Sequence, residues 1–478
     1  MFNNKTPQTY CNPLVIPDYP RGGESYNPEQ RDFRELADPS VIFYDNKWYL
    51  YPTCGMAYVS EDFVTWTFHR IEPYFMFAPT VAVHNNRFYL VGNLTPLYVA
   101  DDPLGPFTEL GSFRTVAGEP LQVLDPMIFP DDDGRLYLYW GLSDPGIFGA
   151  ELDPADPCQL LTEPRFLFAF NPEHEWERFG EWNENKYTSS IEGPWMAKVN
   201  GVYYLTYCGP GTVYSTYAMG TYTCSYPLGE FTYAARNPIL SNKHGLIKGP
   251  GHGCIVAGPG ETLWAFYTIC VCYEHKFERR IGVDPAGIDE NGNLYVLGPS
   301  EIPQHAPGVL PSPQLNNNTG WLPLTFCNPR QATSCVEGRN PVYAFDDSLL
   351  TWWQPSPEDR ERELTVDFRA LFEVRAFRIM WRDVQLDYDN DLLPGPFGYI
   401  IEVLAELPPE QSVEQPPKQP LHWVPVIDKS DNDTDLLIDY LEIAGIQARS
   451  ARLKIISTPP GIEPGVVNFT AFGTAFSK

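Results

Sequence analysis

DPSVIFYDNKWYLYPT, beginning at Asp38, runs from an acidic step through an apolar stretch, a polar turn and an aromatic stretch. That order is the signature of a β-hairpin. It returns as APTVAVHNNRFYLVGN from Ala78, DPMIFPDDDGRLYLYWG from Asp125, EGPWMAKVNGVYYLTYCG from Glu192 and HGCIVAGPGETLWAFYT from His252. The starts are separated by 78−38=40, 125−78=47, 192−125=67 and 252−192=60 residues. Propeller blades repeat at roughly 40–50 residues, with insertions confined to loops. Five copies therefore predict a five-bladed β-propeller, with a β-sandwich built from the same hairpins as the competing arrangement. The long interval before Glu192 is filled by FNPEHEWERFGEWNENKY, a polar and aromatic insertion.

The surrounding composition agrees with an all-β chain. Aromatic residues make up 14%, and the 48 Pro and 37 Gly are spread along the whole length, which suits short strands joined by tight turns. No window carries a convincing amphipathic helical period. A net charge of −28 argues against nucleic acid or an anionic membrane as partner. No stretch resembles a membrane span, and MFNNKTPQTYCNP lacks the apolar core of a signal peptide, so the reading is a cytoplasmic protein, or a secreted one with its signal removed. The ten cysteines offer no paired CxxC motif, and Cys254 and Cys270 lie inside apolar strands. Reduced, buried thiols are the expectation.

The propeller is assigned to residues 1–302. EIPQHAPGVLPSPQLNNNTGW, rich in Pro and Asn, marks a linker over 303–324. Alternating strands resume in ELTVDF, VRAFRIMW, YIIEVLAE and ARLKIIST, which predicts a β-sandwich over 325–478 with PPEQSVEQPPKQP as a surface loop.

In a propeller the innermost strand of each blade lines the axis, so equivalent blade positions converge on one pocket. Reading down the starts gives Asp38, Ala78, Asp125, Glu192 and His252. A single Asp-Pro is ordinarily a turn. Three carboxyl groups and an imidazole around one ring point to chemistry. Glycoside hydrolysis requires one protonated carboxyl to donate to the leaving oxygen, and one ionised carboxylate to activate water or attack the sugar. A third carboxylate beside the acid raises its pKa. Spacing alone leaves open which of the three does which.

The motifs LADPSVI, VLDPMIF and IEGPWM, in that order, followed by GPGHGC and RRIGVDPAGIDENG, resemble glycoside hydrolase family 43 over roughly residues 30–300. The resemblance implies Asp38 as general base, Asp125 as the residue that tunes the acid, Glu192 as general acid, and inversion of configuration. It also implies that His252 contacts water or a cation, commonly calcium, on the axis, with waters completing the ion's shell. Arg279, five residues before Asp284, corresponds to an arginine that contacts sugar hydroxyls, with Arg280 beside it leaving the register open. Phe77 is a candidate for stacking on a sugar face, or for plain packing at the blade edge. No cofactor is required, although the resemblance leaves room for a structural calcium. In the second domain, NPRQATSCVEGRNPVYAFDDSLLTWWQP resembles the discoidin-like (factor 5/8 type C) jelly roll, which implies a carbohydrate-binding module or a brace for the propeller. Trp352 and Trp353 are read there as core residues in preference to a sugar platform.

The resulting expectation is an exo-acting hydrolase that releases terminal pentoses from plant polysaccharide or oligosaccharide, as an α-L-arabinofuranosidase, a β-xylosidase or both. Endo-arabinanase and galactan-active hydrolases are the alternatives within the fold, and a non-catalytic glycan-binding propeller is the alternative of another class. A retaining fructan hydrolase would need a WMNDPNG-like opening and an RDP motif, where this chain has ELADPSV and VLDPMIF. A phosphorylase would need a basic cluster near the acidic motifs. The loops before Ala78 and Glu192 are expected to shape the pocket.

Overall fold

The computed structural model describes residues 8–22, 32–72, 76–272, 275–406 and 421–475. Five antiparallel sheets follow one another in sequence order. The blades open with Ser40–Tyr44, Thr80–His84, Met127–Pro130, Glu192–Val199 and Gly251–Ala257, and each sheet continues outward strand by strand. The polar turns quoted above do what their residues favour. Asp45-Asn46, Asn85-Asn86 and Asn200-Gly201 all adopt positive φ, the backbone of a type I′ hairpin turn. The second strands, such as Lys47–Tyr51 and Leu263–Cys270, are buried almost throughout because neighbouring blades cover both faces.

A ring of side-chain acceptors ties the blades together at the axis. Thr53 Oγ1, near the end of the first blade's second strand, accepts from the Ala78 N–H at 3.0 Å. Asn93 Oδ1 accepts from the Asp125 N–H, Ser143 Oγ from the Ile191 N–H at 2.6 Å, and Cys208 Sγ from the His252 N–H. Thr268 Oγ1 closes the circle on the Asp38 N–H at 2.8 Å. Every blade therefore holds the start of the next, and the fifth holds the first. The N-terminal segment also braces the fifth blade, where the Asn12 amide donates to the Val283 carbonyl at 2.9 Å and the Leu14 N–H donates to Ile281 O at 2.8 Å.

The second domain is a β-sandwich-like sheet built on two long strands, Glu363–Val384 and Ile438–Ser457. Glu363–Val384 pairs with Ile438–Ser457 and with Glu463–Ala475, and register shifts at Asp367/Phe372 and Val374/Ala376 bend it. Trp353, Phe377, Tyr399, Val403 and Phe469 form its core. Trp353 and Trp352 are thus both buried core residues, Trp352 with two arginine guanidiniums against its ring at the domain boundary. The expected loop PPEQSVEQPPKQP lies outside the described residues. The stretch read as a linker pairs Gln304–His305 with Thr9–Tyr10, and Leu322–Pro323 with the last strand. The domains are joined by buried polar contacts. Arg378 donates to the carbonyls of Asn12 and Glu301 at 2.9 and 3.0 Å, and Arg34 pairs with Asp383 at 2.8 Å. All ten cysteines are free thiols, seven of them buried. Among the described residues no helix is long and apolar enough to cross a membrane.

Candidate active site

Asp38, Ala78, Asp125 and His252 share a left-handed backbone, with φ of 50°, 47°, 48° and 29°. The fourth member of this set is Gly193, at φ 60°, and not Glu192. The fourth copy is therefore offset by one residue from the alignment read in the sequence, and Glu192 precedes the shared position. A register shift between Glu192 and Trp195 absorbs the step. Gly193 is needed there twice over, since a Cβ would meet the His252 ring at 3.0 Å and the positive φ disfavours other residues. Its N–H donates to Asp125 Oδ2 at 3.0 Å, which fixes Asp125 directly beside the Glu192 peptide.

The carboxyl groups occupy different electrostatic settings. Burial raises the pKa of Asp38, but the Arg279 guanidinium, His252 and the hydroxyls of Thr53 and Thr268 outweigh it and hold the carboxyl below its ordinary value. Arg279 Nη1 donates to Asp38 Oδ1 at 3.0 Å, and Thr53 Oγ1 donates to Oδ2 at 2.6 Å. Asp125 is raised by burial, with Asp38 adding to the effect. Glu192 is pushed up to about 7 by burial first and then by the charge of Asp125. Tyr217 Oη and Ser190 Oγ donate to its two oxygens at 2.7 and 2.8 Å. His252 Nδ1 lies 3.5 Å from Asp38 and 3.8 Å from Asp125. Burial lowers its pKa, yet Asp38, Asp125 and Glu192 together raise it above the ordinary value.

The register of the arginine pair is settled by the strand. Arg279 faces the site, with its Nε donating to Glu35 Oε1 at 2.8 Å as well as Nη1 to Asp38, whereas Arg280 faces the other way. Phe77 is half-buried, and its ring centre stands 5.9 Å from the Arg279 guanidinium carbon. The loop before Ala78 falls partly outside the described residues, at 73–75. The insertion before Glu192 folds over the fourth blade. Glu177 is buried in it, accepting from Tyr207 Oη at 2.5 Å and lying 2.7 Å from His174 Nδ1. The Ser190 N–H at its far end donates to Pro210 O at 2.7 Å.

The donors around the axis do not make a calcium site. Calcium takes about six to eight oxygens. The His252 Nδ1 instead faces two carboxylates, and the axial cavity of about 10 Å³ has room for about one water. Among the described residues no group of three or more His, Cys, Asp or Glu could hold a metal ion.

Sequence reading passed over Glu35, Thr53, Tyr217, Ser190 and Thr268. Three of them carried a signal. Thr53 and Thr268 stand at the ends of their quoted copies, and Glu35 is a lone carboxylate three residues before Asp38. Tyr217 carried none. The acceptor ring yields a test. Thr53→Val should cost about 1–3 kcal/mol of stability by leaving the Ala78 N–H unmet. It should also move the acid limb of the pH–activity profile upward, because Asp38 loses a hydroxyl that favours its ionised form. Thermal unfolding and kcat/KM between pH 3 and 6 measure the two effects.

An ionised carboxylate and a protonatable one, held apart in pKa at the mouth of a propeller, define the class of glycoside hydrolases. The chain belongs to the glycosyl hydrolases of family 43, whose profile matches residues 34–294, more than half its length. A β-D-galactofuranosidase of Aspergillus niger is 24% identical over 273 residues, covering 48% of this chain and 73% of that protein. An extracellular exo-α-(1→5)-L-arabinofuranosidase of Streptomyces chartreusis is 30% identical over 255 residues, covering 50% and 69%. A solved glycoside hydrolase structure with 19% identity shares the fold over 91% of this chain and 97% of its own, at a TM-score of 0.50.

Proposed function

We propose that this glycoside hydrolase is exo-acting and inverting, and releases terminal pentoses from plant polysaccharide or oligosaccharide as an α-L-arabinofuranosidase, a β-xylosidase or both. The observation that carries the reading is the opposed settings of Asp38 and Glu192, one carboxyl held ionised and the other pushed up to about 7. Glu192 protonates the glycosidic oxygen as the bond breaks. Asp38 takes a proton from water, which attacks the anomeric carbon from the opposite side. Asp125 keeps Glu192 protonated through its charge, and its bond to the Gly193 N–H holds the pair in register. Arg279 and Phe77 border the Asp38 side, where they meet sugar hydroxyls and a sugar face. The two carboxyl groups supply both proton transfers, so the reaction requires no cofactor. The arabinofuranosidase among the relatives supports a pentofuranoside as first substrate.

Hydrolysis of nitrophenyl α-L-arabinofuranoside and nitrophenyl β-D-xyloside tests the substrate. Release of either pentose is expected. Silence on both, with release of sugar from linear arabinan or from galactosides, would move the assignment to the endo-acting or galactan-active alternatives.

The electrostatics predict a pH profile. kcat/KM requires protonated Glu192, so it should fall as pH rises through about 7. Asp125→Asn removes the charge that raises Glu192, and the alkaline limb should move to lower pH. An unmoved limb would show that Asp125 does not tune the acid.

A further inference from the structure

The insertion that precedes Glu192 opens two large aromatic side chains to solvent, Trp182 at 80% exposure and Tyr187 at 86%. The backbone beneath them is pinned. The Trp182 N–H donates to Glu184 Oε2 and the Tyr187 N–H to Asn185 Oδ1, each at 3.0 Å. Between them Asn183 is buried, its amide donating to the carbonyls of Trp176 and Arg178 at 3.1 and 3.0 Å. Lys243, from a neighbouring loop, donates to Asn183 Oδ1 at 2.8 Å. Open aromatic rings on a fixed backbone are how a binding surface is built, because little order remains to be imposed when a partner arrives.

The two hydroxyls that hold Glu192 locate this surface. Ser190, the donor to Glu192 Oε2, follows Tyr187 by only three residues. Tyr217, the donor to the other oxygen, ends the loop to which the Trp182 side of the insertion is fastened. There the Ser215 N–H donates to Glu181 Oε2 at 3.1 Å, and Thr216 Oγ1 donates to the Gly180 carbonyl at 2.9 Å. Across the blade Glu192 pairs with Cys208, and Cys208 with Met219, so both loops emerge at the strand ends where Glu192 stands. Glu192 is the acid that meets the leaving oxygen. The two aromatics therefore border the leaving side of the scissile bond, whereas Arg279 and Phe77 border Asp38. We propose that Trp182 and Tyr187 are a platform on which the sugar chain that leaves is stacked. On that account the substrate is a pentose joined to a saccharide chain, and not a pentose on a small aglycone. The inference rests on the pentosidase reading above. Contacts remote from the reacting atoms raise kcat/KM when they are kept in the transition state.

Paired substrates test it. Xylotriose and α-1,5-L-arabinotriose place sugars on the leaving side, whereas β-D-xylosyl fluoride and α-L-arabinofuranosyl fluoride place only fluoride there. The double variant Trp182→Ala, Tyr187→Ala should lose about tenfold in kcat/KM on the triose. It should keep the wild-type rate on the matching fluoride, which also shows that it is folded. Trp182→Phe with Tyr187→Phe should restore the triose, since a ring remains at each position. If the wild type cleaves both members of a pair and the double variant loses nothing on the triose, or the same factor on each, the platform falls and the pentosidase reading stands. A wild type that cleaves neither pair removes the pentosidase reading and the platform with it. A dimer seen in sedimentation, and dissociated by the double variant, would give the aromatics to a second copy of the chain and overturn the assignment.

Discussion

Glu192→Gln should lower kcat/KM on glycosides with poor leaving groups by about 10²–10⁴-fold, the usual contribution of a positioned general acid. Gln preserves the volume of the side chain and an oxygen for Tyr217, but it has no proton to give. The loss should therefore depend on the leaving group. A dinitrophenyl glycoside, whose phenolate departs without protonation, should be hydrolysed at close to the wild-type rate. A series of aryl glycosides of graded acidity measures this directly, and the slope of log kcat/KM against phenol pKa should steepen in the variant. A loss of equal size for every leaving group would remove Glu192 from the role of acid. A glycan-binding propeller without catalysis would show no turnover to lose.

Asp38→Asn should also cost about 10²–10⁴-fold, but uniformly across leaving groups. Water must surrender a proton as it attacks, and Asn cannot accept it. An anionic nucleophile needs no base, so azide should restore release of the leaving group and yield a glycosyl azide of inverted configuration. Arg279 keeps its bonds to Glu35 in this variant, which preserves the local arrangement. Failure of azide to rescue a folded Asp38→Asn protein would place the defect elsewhere than in activation of water.

Much of this was legible before any coordinates, for a physical reason. Repeats that each bury an aromatic strand must recur in sequence, and the residue opening each repeat must face the axis. Asp38, Asp125 and His252 were therefore readable by position alone. Glu192 was readable by type but misplaced by one residue. The backbone conformation that defines the position falls on Gly193, and a bulge lets the glutamate reach the site from the preceding step. The acceptor ring was half visible, since Thr53, Asn93, Cys208 and Thr268 stand at or beside the ends of the quoted copies, while Ser143 lies beyond its copy. Tyr217 and Ser190 reach Glu192 through loops whose course no periodicity encodes. The domain junction was hidden for the same reason. Arg34 and Asp383 are distant in sequence and meet only because both elements fold against one another.

The most direct test of the central claim is the configuration of the sugar at the moment of release, read by proton NMR of a nitrophenyl pentoside digest before mutarotation. If Asp38 activates water while Glu192 protonates the opposite side, the first anomer to accumulate is the inverted one. Initial accumulation of the anomer with the substrate's own configuration would mean that a carboxylate attacks the sugar itself, and would contradict the assignment of Asp38 as base.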